Sequence, residues 1–239
     1  LTQQGQVEDI YPLTPMQEGI LFHSRFEQNP ESYFVQYGFD IVGEFDQAAF
    51  KKALQQAVKR HDILRTSFHW DLSDRPLQVV HAEAELVVDE QDWQGPESVH
   101  SEKLVEYVVD QRRRGFDFES PSQLRVSLIR LEANRVRFTL HFHHILLDGW
   151  SGALLLGEVI AIYRALTHDA NWFAGEAPQY RRYIEWLAGR DAAATACFWK
   201  RYLGGFAGMP AITSVGNRQQ APQVQTEEHL IGQEMTGRI

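Results

Sequence analysis

The side chains best suited to chemistry crowd into one short stretch, HFHHILLDGWS, His141 to Ser151. It carries His141, His143, His144, Asp148 and Ser151. Imidazole is the side chain that exchanges protons near neutral pH, so general acid–base work or the holding of a nucleophile is the first chemistry to consider. His143 and His144 are adjacent, and on an extended strand they point to opposite sides. One of them therefore faces any given cavity while the other supports it. The plain alternative is two satisfied histidines at a strand end. A metal site from His141, His143 and Asp148 is chemically conceivable, since i and i+2 residues of a strand share a face, but no fourth ligand or second cluster accompanies them. A hydrolytic triad of Ser151, His144 and Asp148 is weaker, because no GxSxG elbow is present and Ser151 sits where a helix would be capped. Neither common phosphate-binding glycine loop occurs.

The elements that must position these groups can be read from periodicity. Val136, Phe138, Leu140 and Phe142 alternate with Arg137, Thr139 and His141, the period-two pattern of a strand with one apolar face. Asp148 and Gly149 favour a turn. From Ser151 the period becomes 3.6, with Leu155, Val159, Ile162 and Leu166 as one stripe of a helix capped by Ser151. Titratable groups at a strand end ahead of a helix are a usual place for a sheet to present chemistry.

Upstream, Thr14, Pro15 and Gln17 spell a helix start with a capping box, and Met16, Ile20 and Phe22 are expected to face inward, with His23 near the end of the helix. Tyr33 to Val42 reads as a strand, and Asp46 as the cap of a helix through Arg60 with Phe50, Leu54, Ala57 and Val58 buried. Ile63 to Trp70 reads as a strand whose Arg65 must reach solvent or a carboxylate. Leu77 to His81, entered by a proline, reads as an edge strand. Asp89 to Glu97 looks like loop. Ser98 to Arg114 reads as a helix with Val99, Leu104, Tyr107 and Val108 inward, and its three terminal arginines suit the helix dipole. Leu124 to Leu131 should form a hairpin with the histidine strand. Helices are expected from Pro178 and from Asp191 to Leu203, after a linker THDANWFAGEAP. Beyond GGFAGMP the text is polar, with a short apolar pair at Leu230 and Ile231.

Of the 239 residues, 44% are apolar, enough for a real core. The formal net charge of -9 disfavours general affinity for nucleic acid or an anionic membrane. One cysteine, Cys197, excludes an internal disulfide framework and fits a reducing compartment. With no signal-peptide pattern and no uninterrupted apolar run near the roughly 18 residues that span a bilayer, a cytoplasmic location is expected.

HHILLDGWS resembles the HHxxxDG motif of the condensation domains of nonribosomal peptide synthetases, within the chloramphenicol acetyltransferase-like superfamily. YPLTPMQEGILFH is similar to their N-terminal signature, RHDILRTSF to their arginine-bearing second motif, and YRRYIEW is a fainter echo. The motifs stand in the family's order and the likeness extends to about Phe206. The resemblance implies an α/β fold, a two-layer sandwich lobe with a mixed, largely antiparallel sheet and helices packed on one side. It implies that His144 faces a tunnel where an amine attacks a thioester, that His143 supports it, and that Asp148 is structural and pairs with Arg65. Breaking such a buried pair typically costs about 3–5 kcal/mol. Gly149 would leave room for substrate and offer its N–H to the reacting carbonyl. No metal and no directly bound cofactor are implied. Phosphopantetheine arms would arrive on upstream and downstream carrier proteins, beside an adenylation domain of the same synthetase.

Condensation domains of this family have about twice this length in two similar lobes. Residues 1–170 are therefore expected to be an N-terminal lobe, and 171–239 a linker and the beginning of the second, inactive without the opposite wall. Two other readings remain open. An epimerisation domain of the same family would use the histidine to invert an alpha carbon, and a noncatalytic docking module would keep the lobe only to bind carrier proteins.

Overall fold

The structure, a computed structural model, describes residues 6–26, 31–168 and 175–206. The polar stretch after Phe206, with Leu230 and Ile231, and the middle of the linker lie outside the described residues. Two compact units are present, Leu1–Arg190 and Asp191–Ile239.

Two sheets build the first unit. Strands β1 (Val7–Pro12), β3 (Thr66–His69) and β4 (Leu77–His81) form an antiparallel sheet in the order β1-β4-β3. β4 is therefore central, not the edge strand expected. Pro76 lies just outside the ladder, and its carbonyl accepts from Leu13 N–H at 3.4 Å, so the proline removes no donor from the strand. The second sheet is larger. β2 (Phe34–Val42), β5 (Val87–Asp92), β6 (Leu124–Glu132) and β7 (Arg135–His143) run in the order β2-β7-β6-β5. Only β5 and β6 pair in parallel, so the sheet is mixed and largely antiparallel. β5 occupies the segment that reads as loop, and β1 has no counterpart in the sequence reading.

The helices follow their capping chemistry. In α1 (Pro15–Phe26) Thr14 Oγ accepts from Gln17 N–H at 3.1 Å and Gln17 Oε1 accepts from Thr14 N–H at 3.0 Å, the capping box expected. Its Ile20 and Leu21 are buried, but Met16 and Phe22 are exposed, 73% and 49%, against expectation. Asp46 caps α2 (Gln47–Arg60) through Ala49 N–H at 2.9 Å. α3 spans Glu97–Arg114 and α4 Gly149–Thr167, where Leu166 lies outside the buried stripe of Leu155, Val159 and Ile162. By length and composition alone α4 is apolar enough to cross a membrane, the single such helix among the described residues. α5 (Tyr180–Ala188) joins the small sheet, its Ile184 packing on Tyr11 and Val80. In the second unit Asp191 caps α6 (Ala192–Tyr202).

One core explains most of the first unit. Val136, Phe138, Leu140 and Phe142 of β7 and Leu124, Val126 and Leu128 of β6 pack with Phe50, Leu54 and Val58 of α2 and Leu155, Val159 and Ile162 of α4. Each such side chain contributes about 1.5–3 kcal/mol by leaving water. The expected placing of helices on one side of the sheet needs a correction. α3 covers the opposite face, with Leu104 and Tyr107 against Trp93, Ile129 and Leu131.

Candidate functional site

β7 delivers the histidines, and its neighbours decide which of them is free. His143 is 3% exposed, and burial pushes its imidazole down to about 4. Its Nδ1 accepts from Ile145 N–H at 3.2 Å. The proton of the neutral ring therefore sits on Nε2, which faces Ser24 Oγ of α1 at 3.4 Å. Phe118 meets the same ring edge-on at 4.9 Å. His143 is a fixed, uncharged brace.

His144 is its opposite. The side chain is exposed, and its backbone N–H is held by Tyr33 O at 2.9 Å. Tyr33 takes a φ of 60°, the left-handed region that a tyrosine rarely visits, and in that conformation it presents its carbonyl to the loop. His144 Nδ1 lies 3.1 Å from Leu147 O, which can only accept, so Nδ1 carries the proton. Nε2 is left as a lone pair with no partner among the described residues. A base whose tautomer is fixed by a backbone carbonyl is ready to take a proton at its other nitrogen.

The turn that follows differs from expectation. Asp148, not Ser151, is the N-cap of α4. Its Oδ1 accepts from Ser151 N–H at 2.8 Å and from Ser151 Oγ at 2.6 Å, while Ser151 Oγ accepts from Asp148 N–H at 2.8 Å. These hydrogen bonds from Ser151 hold the Asp148 carboxyl below its usual range. Arg65 does not meet Asp148. It closes a 3₁₀ turn, Asp62–Arg65, rather than sitting within a strand, and is 6% exposed. Its Nη1 donates to Glu8 Oε2 of β1 at 2.8 Å and to His81 O. The carboxylate that a buried arginine requires comes from a strand the sequence reading lacked. Gly149 is the first residue of α4, so its N–H has no intrahelical acceptor, and a Cβ there would meet nothing within 4 Å.

The conceivable metal set does not assemble. His141 is fully buried and bonded to Gln36 at 3.2 Å and Thr139 at 3.1 Å, and no group of three ligating side chains occurs among the described residues. Burial, aided by the Arg125 cation, pushes its imidazole down to about 4. Sequence reasoning missed Ser24 and Tyr33, which contact the histidine loop directly, and read Gln17 only as a cap.

With this geometry in hand, comparison with known proteins is specific. The model of the Condensation domain family matches residues 7–236. A linear gramicidin synthase of Brevibacillus parabrevis is 39% identical over 88% of this chain, which spans 4% of that protein. A mycosubtilin synthase of Bacillus subtilis is 35% identical over 98% of this chain, 9% of that protein. Among solved structures, the starter condensation domain of rhizomide synthetase superposes with a TM-score of 0.74 at 18% identity, covering 84% of this chain and 49% of its own. The first condensation domain of the calcium-dependent antibiotic synthetase gives 0.70 at 20% identity, covering 82% and 48%. This chain thus spans about half the length of those solved chains and under a tenth of the curated relatives, and over that span it belongs to the condensation domain family of nonribosomal peptide synthetases.

Proposed function

We propose that this chain supplies the histidine-bearing lobe of a domain that forms an amide bond between two carrier-bound substrates. The observation that carries the reading is His144, exposed on a loop pinned from several sides, with Nδ1–H spent on Leu147 O and Nε2 free. An upstream carrier protein presents an acyl thioester on its phosphopantetheine arm, and a downstream carrier protein presents an amine. The amine nitrogen attacks the thioester carbonyl, forming C–N as C–S breaks. Nε2 takes the proton the nitrogen sheds and returns it to the departing thiolate, so that amide and free thiol are the products. Holding the amine in line is the other contribution open to the same nitrogen, and proximity alone can supply several kcal/mol. Gly149 N–H, at the positive end of α4, is suited to the carbonyl oxygen as charge develops there.

His143, Asp148 and Arg65 are assigned to support. His143 braces the loop, Asp148 with Ser151 starts α4, and Arg65 ties β1 to the turn after α2. The first compact unit is taken as the N-terminal lobe, with Asp191 opening the next. An adenylation domain of the same synthetase is the expected neighbour that loads the carrier, and the exposed thiol of Cys197 accords with a cytoplasmic setting.

The test is His144→Ala in the full-length protein, with carrier-bound donor and acceptor and the product read by mass. Amide formation should fall by about a hundredfold or more, the usual weight of a positioned acid–base group. Unchanged turnover would remove His144 from the mechanism. A product differing only at an alpha carbon would favour epimerisation, and carrier binding without turnover in the wild type would favour a docking role.

A further inference from the structure

Gln17 reads from sequence as one half of a capping box, yet its side chain is 4% exposed and reaches well beyond its own helix. Its Nε2 donates to Ile145 O, in the loop next to His144, at 3.2 Å. Its Oε1 accepts from Thr14 N–H at 3.0 Å and from Gln78 Nε2, on β4, at 3.2 Å. Thr14 N–H can only donate and Ile145 O can only accept, so the orientation of the amide is unambiguous. Gln78 in turn donates to Pro12 O at 3.0 Å. One side chain therefore joins α1, the small sheet and the histidine loop.

The consequence falls on Ile145, which is 2% exposed and immediately follows His144. Its N–H is taken by His143 Nδ1 and its carbonyl by Gln17, so both of its backbone groups are held by side chains. Leu146 N–H closes the turn on His143 O at 2.9 Å, and Leu147 O then receives His144 Nδ1–H. Without the Gln17 donor, Ile145 O is a buried acceptor with no partner, and the turn gains by rotating that peptide toward another donor. Rotation there moves the carbonyl of Leu147 relative to the imidazole it fixes.

We propose that Gln17 is a positioning residue for His144, acting through Ile145 O to keep the imidazole in its Nδ1–H tautomer with Nε2 presented to the substrate. This rests on the reading of His144 given above, and the experiment separates the two. In the full-length protein, Gln17→Met removes the donor, Gln17→Glu keeps the Oε1 acceptor for the helix cap but not the donor, and Gln78→Met leaves the bond to Ile145 intact. Turnover with carrier-bound substrates is measured beside thermal stability and the imidazole nitrogen-15 signals of His144.

Both Gln17 variants should lower kcat by about tenfold to a hundredfold, the scale of an ångström-sized misplacement, with KM nearly unchanged. His144 should show a mixed tautomer in both, and Gln78→Met should show neither effect even if its Tm falls as far. Should Gln17→Met fail to fold, Gln17→Glu carries the test. Wild-type tautomer and kcat in Gln17→Glu, or losses in all variants that merely track Tm, would overturn the proposal. If instead His144→Ala retains turnover, the catalytic reading fails while the tautomer signals still report whether Gln17 sets the loop.

Discussion

The two faces of β7 are immobilised by different physics. On one, Val136, Phe138, Leu140 and Phe142 pack against α2 and α4 with no polar atom among them. On the other, Thr139 and His141 join Gln36, Ser127, Tyr107 and Asp89 in a hydrogen-bonded layer beneath α3. Tyr107 Oη donates to Asp89 at 2.6 Å and contacts Ser127 Oγ at 2.6 Å, and Gln36 donates to Val108 O at 3.0 Å. Apolar packing is non-directional and fixes where the strand lies, whereas hydrogen bonds also fix how its side chains turn. The strand that ends at His143 and His144 uses both, and the polar face continues directly into the brace at His143.

The largest expected effect exploits that polarity. His141 and His143 are neutral in the fold, held near 4 by burial against an ordinary value of 6.5. Their native values are depressed, so the unfolded chain binds more protons between those two pH values. Stability is therefore complete above pH 6.5 and falls as pH drops toward 4, by about 1.4 kcal/mol per unit for each histidine. Denaturant titrations from pH 7 to 4.5 should lose on the order of 5 kcal/mol. His141→Gln, which keeps hydrogen-bonding groups but cannot titrate, should roughly halve the slope, and an unaltered slope would mean His141 is not the source.

The apolar face should answer to volume and ignore pH. Phe142 is fully buried, 5.4 Å from the Tyr37 ring, and the His144 imidazole stands nearly perpendicular to it at 6.2 Å between centroids. Phe142→Ala is expected to cost about 3–5 kcal/mol in denaturant, with the acid slope unchanged. A steeper slope would show that the two faces are coupled.

The same contrast explains what could be read from sequence. Alternation in VRFTLHF and the 3.6 period after Ser151 announce the apolar face because burial repeats along one element. Caps at Thr14 and Asp46 were legible because donor and acceptor lie within three residues. The polar face was not. β5, VVDEQD, looks like a loop because its acids serve partners far away in sequence, Asp89 with Tyr107 and Glu90 with Lys51 at 2.5 Å. Arg65 announced its need for a carboxylate, but the answer, Glu8, lies on a strand 57 positions away that carries no alternation of its own. In the candidate site the motif pointed to His144 and Gly149 as candidates, while the hydrogen bonds of His144 Nδ1 with Leu147 O and of Gln17 with Ile145 O involve carbonyls that no local pattern reveals.

The smallest effect concerns two glycines at the start of α4. A Cβ on Gly152 would come 3.2 Å from Tyr37 Cε2, 3.4 Å from Tyr37 Oη and 3.5 Å from Phe142 Cζ, whereas one on Gly149 would meet nothing. Alanine in a helix gains about 0.8–1 kcal/mol over glycine, and the close contact at position 152 opposes that gain. Gly152→Ala should therefore change stability by no more than about 1 kcal/mol, the small remainder of two opposed terms. Pairing it with Tyr37→Leu isolates the contact. In a double-mutant cycle the alanine should become stabilising once the tyrosine ring is gone, with a coupling of at least about 0.5 kcal/mol. Zero coupling would mean that Tyr37, on the outermost strand, already yields, and that the close fit of the apolar face ends before it reaches β2.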